Sequence, residues 1–285
     1  MKRPLHFTII LFFVFINTYG QVTLDANGVG NTYEEITAVL APGYDAVEEV
    51  CNHTAFVNPE GNSRHIDEVF DATLNDYVFR FYAHVSPDNN KCVTSDRQRN
   101  EIKTYNQSPA NLKGVIGETV EYKWKFKLDA GHLSSPDFTH IHQLKSVGAD
   151  AAEEAQPLIT LTTRNKSSWG STPHRIELRL AEYSSATTLT NTDITPFLGE
   201  WVEVTETVAF GEIGTANYTI VIKRISDNAI LMNYSSTSIR MWKTNADFIR
   251  PKWGIYRKNN HNPVVLRDEE VLFADFSITE GVTLG

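Results

Sequence analysis

The chain has 285 residues, a formal net charge of −9 and two cysteines. The acidic balance argues against nucleic acid as a partner, although net charge does not say where charges sit and leaves room for a locally basic cleft. Two cysteines without a clustered histidine partner do not suggest a zinc site.

Residues 1–20 read as a secretory signal: Lys2 and Arg3, then the apolar run "LHFTIILFFVFIN", then small residues before Gln21. The apolar run is too short for a comfortable membrane span, and no later stretch would cross a bilayer. The expected product is residues 21–285, secreted or periplasmic. In that setting Cys51 and Cys92 are expected to pair, tying the N-terminal segment to the first long strand.

Helical periodicity is weak. "YEEITAVLA" (Tyr33 to Ala41) and "HIDEVFD" (His65 to Asp71) are each read as a short helix. From there alternation with a period of two dominates. "YVFRFYAHV" sets Phe79, Phe81, Ala83 and Val85 against Arg80, Tyr82 and His84. "EYKWKFKLD" sets Tyr122, Trp124, Phe126 and Leu128 against Lys123, Lys125 and Lys127. "HRIELRLAE" sets Ile176, Leu178 and Leu180 against Arg175, Glu177 and Arg179. "WVEVTETV", "YTIVIKRI" and "VLFADFSI" continue the pattern, with breakers such as "SPDNN", "GVIGE" and "GEIGTAN" between. Many strands over one long stretch predict an all-β fold, a jelly-roll sandwich of two antiparallel sheets in one domain.

Three strands carry more polarity on one face than a solvated surface requires. In "RQRNEIKTY", Arg97, Arg99, Glu101 and Lys103 share a face opposite Gln98, Asn100 and Ile102. The glutamate can brace its cationic neighbours, which then offer positive charge to an anion. In "DFTHIHQLKS", regular alternation puts His140 and His142 on one face and Gln143 and Lys145 on the other. In "PKWGIYRK", Lys252, Gly254 and Tyr256 share a face opposite Trp253 and Ile255, and a strand glycine often marks close approach by a ligand or a backbone. Cations, imidazoles, an amide and a phenol suit β-elimination from a uronic-acid polymer. The C6 carboxylate must be neutralised, a base must take the C5 proton, and an acid must protonate the leaving oxygen at C4. Glycoside hydrolysis would call instead for two opposed carboxylates, and these strands offer no such pair.

"RNEIK", "HIH" and "KWGIY" resemble, in order, the R-x-E-x-R, Q-[IV]-H and K-A-G-x-Y strands of the family-7 alginate lyases. The longer runs "QVTLDANG", "DRQRNEIKTY", "GETVEYKWKFKLDAG", "THIHQLKSVG" and "RPKWGIYR…LRDEEVLFADFSI" resemble the family-28 polysaccharide lyases, which are ulvan lyases of marine bacteria. The resemblance implies a jelly roll with a cleft across a concave sheet, and cleavage between sulfated rhamnose and a uronic acid, acting within the chain. It implies His142 as base, Tyr256 as acid, and Arg99 and His140 as neutralisers of the carboxylate; Gln143 takes that role if a bulge or register shift turns it over. Asn100, Glu101, Lys103, Lys145, Lys252 and Arg257 are candidate substrate contacts, and Arg80, Arg175 and Arg179 candidate sulfate contacts. The implied partner is an anionic sulfated polysaccharide and the protein a monomer. No cofactor is expected for the chemistry, while a structural calcium ion could use Asp25 or Asp275. The competing readings are a lyase for glucuronan or alginate, a non-catalytic carbohydrate-binding jelly roll, and a metal-dependent hydrolase using His140 and His142.

Overall fold

Seventeen short elements account for the backbone of the computed structural model, which describes residues 20–49, 56–86, 88–259 and 266–282. In chain order they are β1 (Gln21–Leu24), α1 (Thr32–Leu40), β2 (Val47–Glu48), β3 (Ile66–Asp71), β4 (Asp76–Ala83), β5 (Arg97–Lys103), β6 (Thr119–Leu128), β7 (Thr139–Val147), α2 (Ala151–Glu154), β8 (Ile159–Asn165), β9 (His174–Leu180), β10 (Thr187–Asp193), β11 (Trp201–Ala209), β12 (Asn217–Arg224), β13 (Ile230–Ser236), β14 (Phe248–Lys258) and β15 (Glu269–Glu280). Three single 3-10 turns lie between them. Among the described residues no helix is long and apolar enough to cross a membrane.

The strands form two antiparallel sheets. One runs β13-β12-β11-β6-β15-β4-β3 with β1 added beside β15; the other runs β10-β9-β8-β7-β14-β5-β2. Alternation explains the layering. Tyr122, Trp124, Phe126 and Leu128 of β6 are buried against the other sheet, as are Ile176, Leu178 and Leu180 of β9 and Trp253 and Ile255 of β14. Trp253 anchors the centre, its ring 6.0 Å from Trp124 and 5.0 Å from Phe276 across the sandwich. The expected jelly-roll sandwich is therefore the observed architecture.

The two expected helices part company. Tyr33 to Ala41 is helical, as α1. His65 to Asp71 is not: Ile66–Asp71 pairs residue for residue with β4 as a hairpin, whose turn places Asn75 at φ 56°. A seven-residue segment is too short to hold a helix on its own, and the backbone partners offered by β4 outweigh its helical periodicity. No cysteine among the described residues is free; Cys51, the expected partner of Cys92, lies outside them.

Two irregularities in the seven-stranded sheet decide which side chains meet. On β7, His140 faces Thr162 of β8 but His142 faces Leu161, so Ile141 is an extra residue, a β-bulge. On β14, Trp253 pairs with His142 and Tyr256 with His140, three steps against two. Gly254 sits at this second irregularity with φ +142°, and a Cβ there would lie 2.1 Å from the Asn100 carbonyl oxygen and 2.7 Å from Glu101 Cα. The glycine is thus required by the approach of β5, not by a sugar ring.

Candidate active site

The bulge at Ile141 redistributes the polar residues of β7. His140 stays on the outer face of the seven-stranded sheet, Ile141 and His142 both turn into the sandwich, and Gln143 returns to the outer face. His142 is fully buried between Trp124 and Trp253, with ring centroids 4.4 and 5.5 Å away. Its Nδ1 donates to the Lys252 carbonyl (2.9 Å), and its Nε2 meets Glu206 Oε2 of the opposite sheet (2.8 Å). Both nitrogens are spent inside the core, so the expected base lies out of reach of a substrate. The two histidines point to opposite sides of the sheet, which also removes them as a joint metal pair.

What the outer face does assemble is a cavity of about 300 Å³ lined by Arg97, Phe138, His140, Arg164, Arg179 and Tyr256, among others. His140 Nδ1 lies 2.7 Å from Thr162 Oγ1, whose own hydroxyl donates to Thr160 Oγ1 (2.9 Å). The Thr162 oxygen therefore accepts from Nδ1–H, and the ring's lone pair resides on Nε2. Burial, followed by the cations Arg99, Arg179, Lys252 and Arg164, pushes His140 down to about 3. It is a neutral imidazole at neutral pH. Beside it, Tyr256 stands 5.8 Å away between ring centroids. Arg97 donates to Tyr256 Oη (3.3 Å), and the Arg99 guanidinium lies 3.7 Å over the phenol ring. Two cations thus stand where negative charge would gather on that oxygen.

Beneath these residues lies a buried layer of charge. Glu48 of β2 accepts from Arg99 (3.1 Å), Lys252 (2.5 Å), Lys103 and the more exposed Lys91 (3.2 Å). Glu101 accepts from Arg99 (3.1 Å), Lys252 (2.8 Å) and Gln143. Burial pushes the Glu48 carboxyl up, but Lys252, Lys103 and Arg99 together hold it well below the usual carboxylate range. Burial also brings Lys103 down to about 7, against the pull of Glu48. Two carboxylates against Arg99, Lys252 and Lys91, with Lys103 partly protonated at neutral pH, leave the floor electropositive and fix Arg99 in place. Neither carboxylate is available as a hydrolytic acid or nucleophile.

Other expected contacts fall elsewhere. Asn100 faces inward and donates to the carbonyls of His65 and Tyr82. Arg257 is fully buried, donating to Gln98 Oε1 (2.5 Å) and the Ala83 carbonyl (3.1 Å). As immediate neighbours of Arg99 and Tyr256, both must point to the opposite face. Arg80 lies on the other sheet, held by both oxygens of Asp67 (3.0 and 2.8 Å). Lys145 is on the outer face, but its ammonium donates to the Glu154 carbonyl, and burial lowers it to about 8. Arg179 lines the cavity, bonded to Glu177 (3.0 Å), while Arg175 stacks on Trp169 (4.8 Å) further along β9. Asp275 is paired with the Lys125 ammonium.

Sequence reasoning missed Glu48, Thr162 and Arg164. In "ITLTTRN", Thr160, Thr162 and Arg164 alternate with buried Ile159, Leu161 and Thr163, so alternation could have found the last two. Glu48 sits on a strand of two residues and offers no pattern at all.

This architecture is the jelly roll of polysaccharide lyases. The endo-β-1,4-glucuronan lyase from the fungus Trichoderma reesei matches with a TM-score of 0.52 at 14% identity, over 83% of this chain and 94% of that one. The marine PL-14 alginate lyase from Aplysia kurodai matches with a TM-score of 0.55 at 11% identity, over 90% of this chain and 97% of that one. At such identities the likeness is one of fold. No protein-family model matches the chain, and no curated protein matches its sequence.

Proposed function

We propose that the protein is an exported polysaccharide lyase that cleaves a uronate-containing polymer by β-elimination, and that the polymer is ulvan, cut within the chain. The observation that carries the reading is one cavity lined by a neutral imidazole, its Nδ1 held by Thr162, beside a phenol flanked by two guanidiniums. In this scheme Arg99, with the electropositive layer beneath it, takes the uronate carboxylate and makes the C5 proton acidic. His140 Nε2 accepts that proton, the C4–O4 bond breaks as the C4=C5 double bond forms, and Tyr256 Oη–H protonates O4 of the departing sugar. Solvent then returns the proton from His140 to Tyr256. The likeness to glucuronan and alginate lyases supports the uronate class. The longer sequence runs that resemble the family-28 lyases, together with Arg164 and Arg179 on the same cavity, support a sulfated polymer.

The test is incubation of the purified chain with ulvan, glucuronan and alginate, following the ultraviolet absorbance of the unsaturated uronate and the masses of the products. A rise on ulvan above the other two is expected. A rise only on another polyuronate would overturn the substrate, and none on any would overturn the lyase.

The state of His140 gives a pH prediction. The neutral form is the working base and persists above about 3 in the free enzyme. Because kcat/KM reports free-enzyme groups, its acid limb should be absent near the pH of about 6.5 where an ordinary histidine titrates. Initial rates from mildly acidic to neutral pH check this. A limb centred on the ordinary histidine value would remove His140 as base.

A further inference from the structure

On the far side of β5 from the cavity, His65, His84 and Asp88 bring three ligand atoms to within 4.8 Å of one another. They come from the residue before β3, the residue after β4 and the turn that follows. The site is almost dry: the side chains of His65 and Asp88 are each 1% exposed and that of His84 15%. Phe56 covers both imidazoles, its ring centroid 4.9 Å from His65 and 4.3 Å from His84.

Two observations point to a cation at the centre rather than a simple hydrogen-bonded cluster. His65 Nε2 lies 3.3 Å from Asp88 Oδ1, and His84 Nδ1 lies 3.2 Å from Asp88 Oδ2. Hydrogen bonds between an imidazolium and a carboxylate draw in to about 2.7–2.9 Å. Two ligands each about 2.0–2.1 Å from a tetrahedral zinc stand roughly 3.3 Å apart, and each histidine stands at about that distance from its own oxygen of the Asp88 carboxylate. The second observation is access: His84 also lines a cavity of about 600 Å³ whose walls set Asp129, Asp268, Glu269 and Glu270 against one guanidinium, Arg267, which pairs with Asp129 and Glu269, so the approach stays net acidic. The donor set selects the metal. Two imidazoles with one carboxylate suit a borderline first-row ion, whereas calcium takes six to eight oxygens.

We propose that His65, His84 and Asp88 bind a divalent first-row metal, zinc by its donor set, as a structural clamp behind the cleft. The clamp has a clear mechanical target. The carbonyls of His65, Tyr82, Ala83 and His84 accept hydrogen bonds from Asn100, Arg257 and Gln98, the inward side chains of the two strands that carry Arg99 and Tyr256. Fixing those carbonyls fixes the wall on which the cavity is built. The site does not depend on the lyase reading.

The test strips the purified chain with a strong chelator, then adds zinc chloride or calcium chloride, reading stoichiometry by calorimetry and the melting temperature by circular dichroism. One zinc per chain is expected, with a melting temperature that rises with zinc and not with calcium. His84→Ala should weaken zinc binding by at least about 100-fold, more than loss of an outer-shell partner costs. If that variant does not fold, the stripped and zinc-loaded wild-type chains decide the question alone. Equal melting temperatures without stoichiometric uptake would overturn the metal and leave a proton-bridged His–Asp–His cluster.

Discussion

Replacing Tyr256 by Phe is expected to lower kcat on the cleaved polymer by roughly 100- to 10,000-fold, the usual worth of a positioned proton donor, while leaving the affinity for that polymer almost unchanged. The reason is the small number of contacts that the oxygen alone makes. The ring is held from two sides without it, by the Arg99 guanidinium at 3.7 Å and by Phe138 at 5.2 Å between centroids. Arg97, which donates to Oη, keeps a second partner in Asp96 (3.0 Å). Phenylalanine should therefore occupy the same place, bind the same sugar and lack only the proton. Steady-state rates paired with calorimetric binding to the same oligosaccharide separate the two effects, since an interaction made only in the transition state shows in kcat and not in binding. A Tyr256→Phe chain with wild-type turnover would take the phenol out of the chemistry.

Much of this fold could be read from the chain because strand periodicity is a local signal. Tyr122, Trp124, Phe126 and Leu128 announce an inner face in sequence, and that face is where they are buried. Arg97, Arg99, Glu101 and Lys103 likewise share the outer face of β5 as alternation requires. The site was legible only as far as regularity held. One inserted residue, Ile141, exchanges the faces of everything after it, so His140 and Gln143 end up together and His142 opposite them. No side chain in "THIHQLK" marks that bulge. Gly254 was visible as an irregularity, but its cause is a carbonyl on the neighbouring strand, a contact between residues 154 positions apart in sequence. Asn100 and Arg257 were misassigned for a third reason. Inward polar residues look functional in sequence, yet near the edge of this sandwich they satisfy backbone carbonyls of β4 and of the residue before β3.

The two histidines of "HIH" should consequently fail in opposite ways. His140→Ala removes one hydrogen bond at a half-buried position, worth about 1 kcal/mol, and should leave the melting temperature nearly intact while abolishing proton abstraction. His142→Ala leaves the Lys252 carbonyl without its donor and strands Glu206 in the dry interior, with Tyr218 as its remaining partner at 2.7 Å. Removing one partner of a buried pair that carries an ionisable carboxyl costs roughly 3–5 kcal/mol, or about 10 °C in a chain of this size. The pairing also explains why Glu206→Gln should be far milder than Glu206→Ala. His142 Nδ1 must donate to a carbonyl, so one proton is shared between Nε2 and Glu206, and a glutamine amide can supply that proton itself. Thermal denaturation and kcat per folded molecule, measured on both histidine variants, distinguish the roles. Loss of turnover without loss of stability belongs to His140, and loss of stability with turnover kept within about tenfold per folded molecule belongs to His142. The reverse assignment would require His142 to leave a core in which both its nitrogens are already bonded.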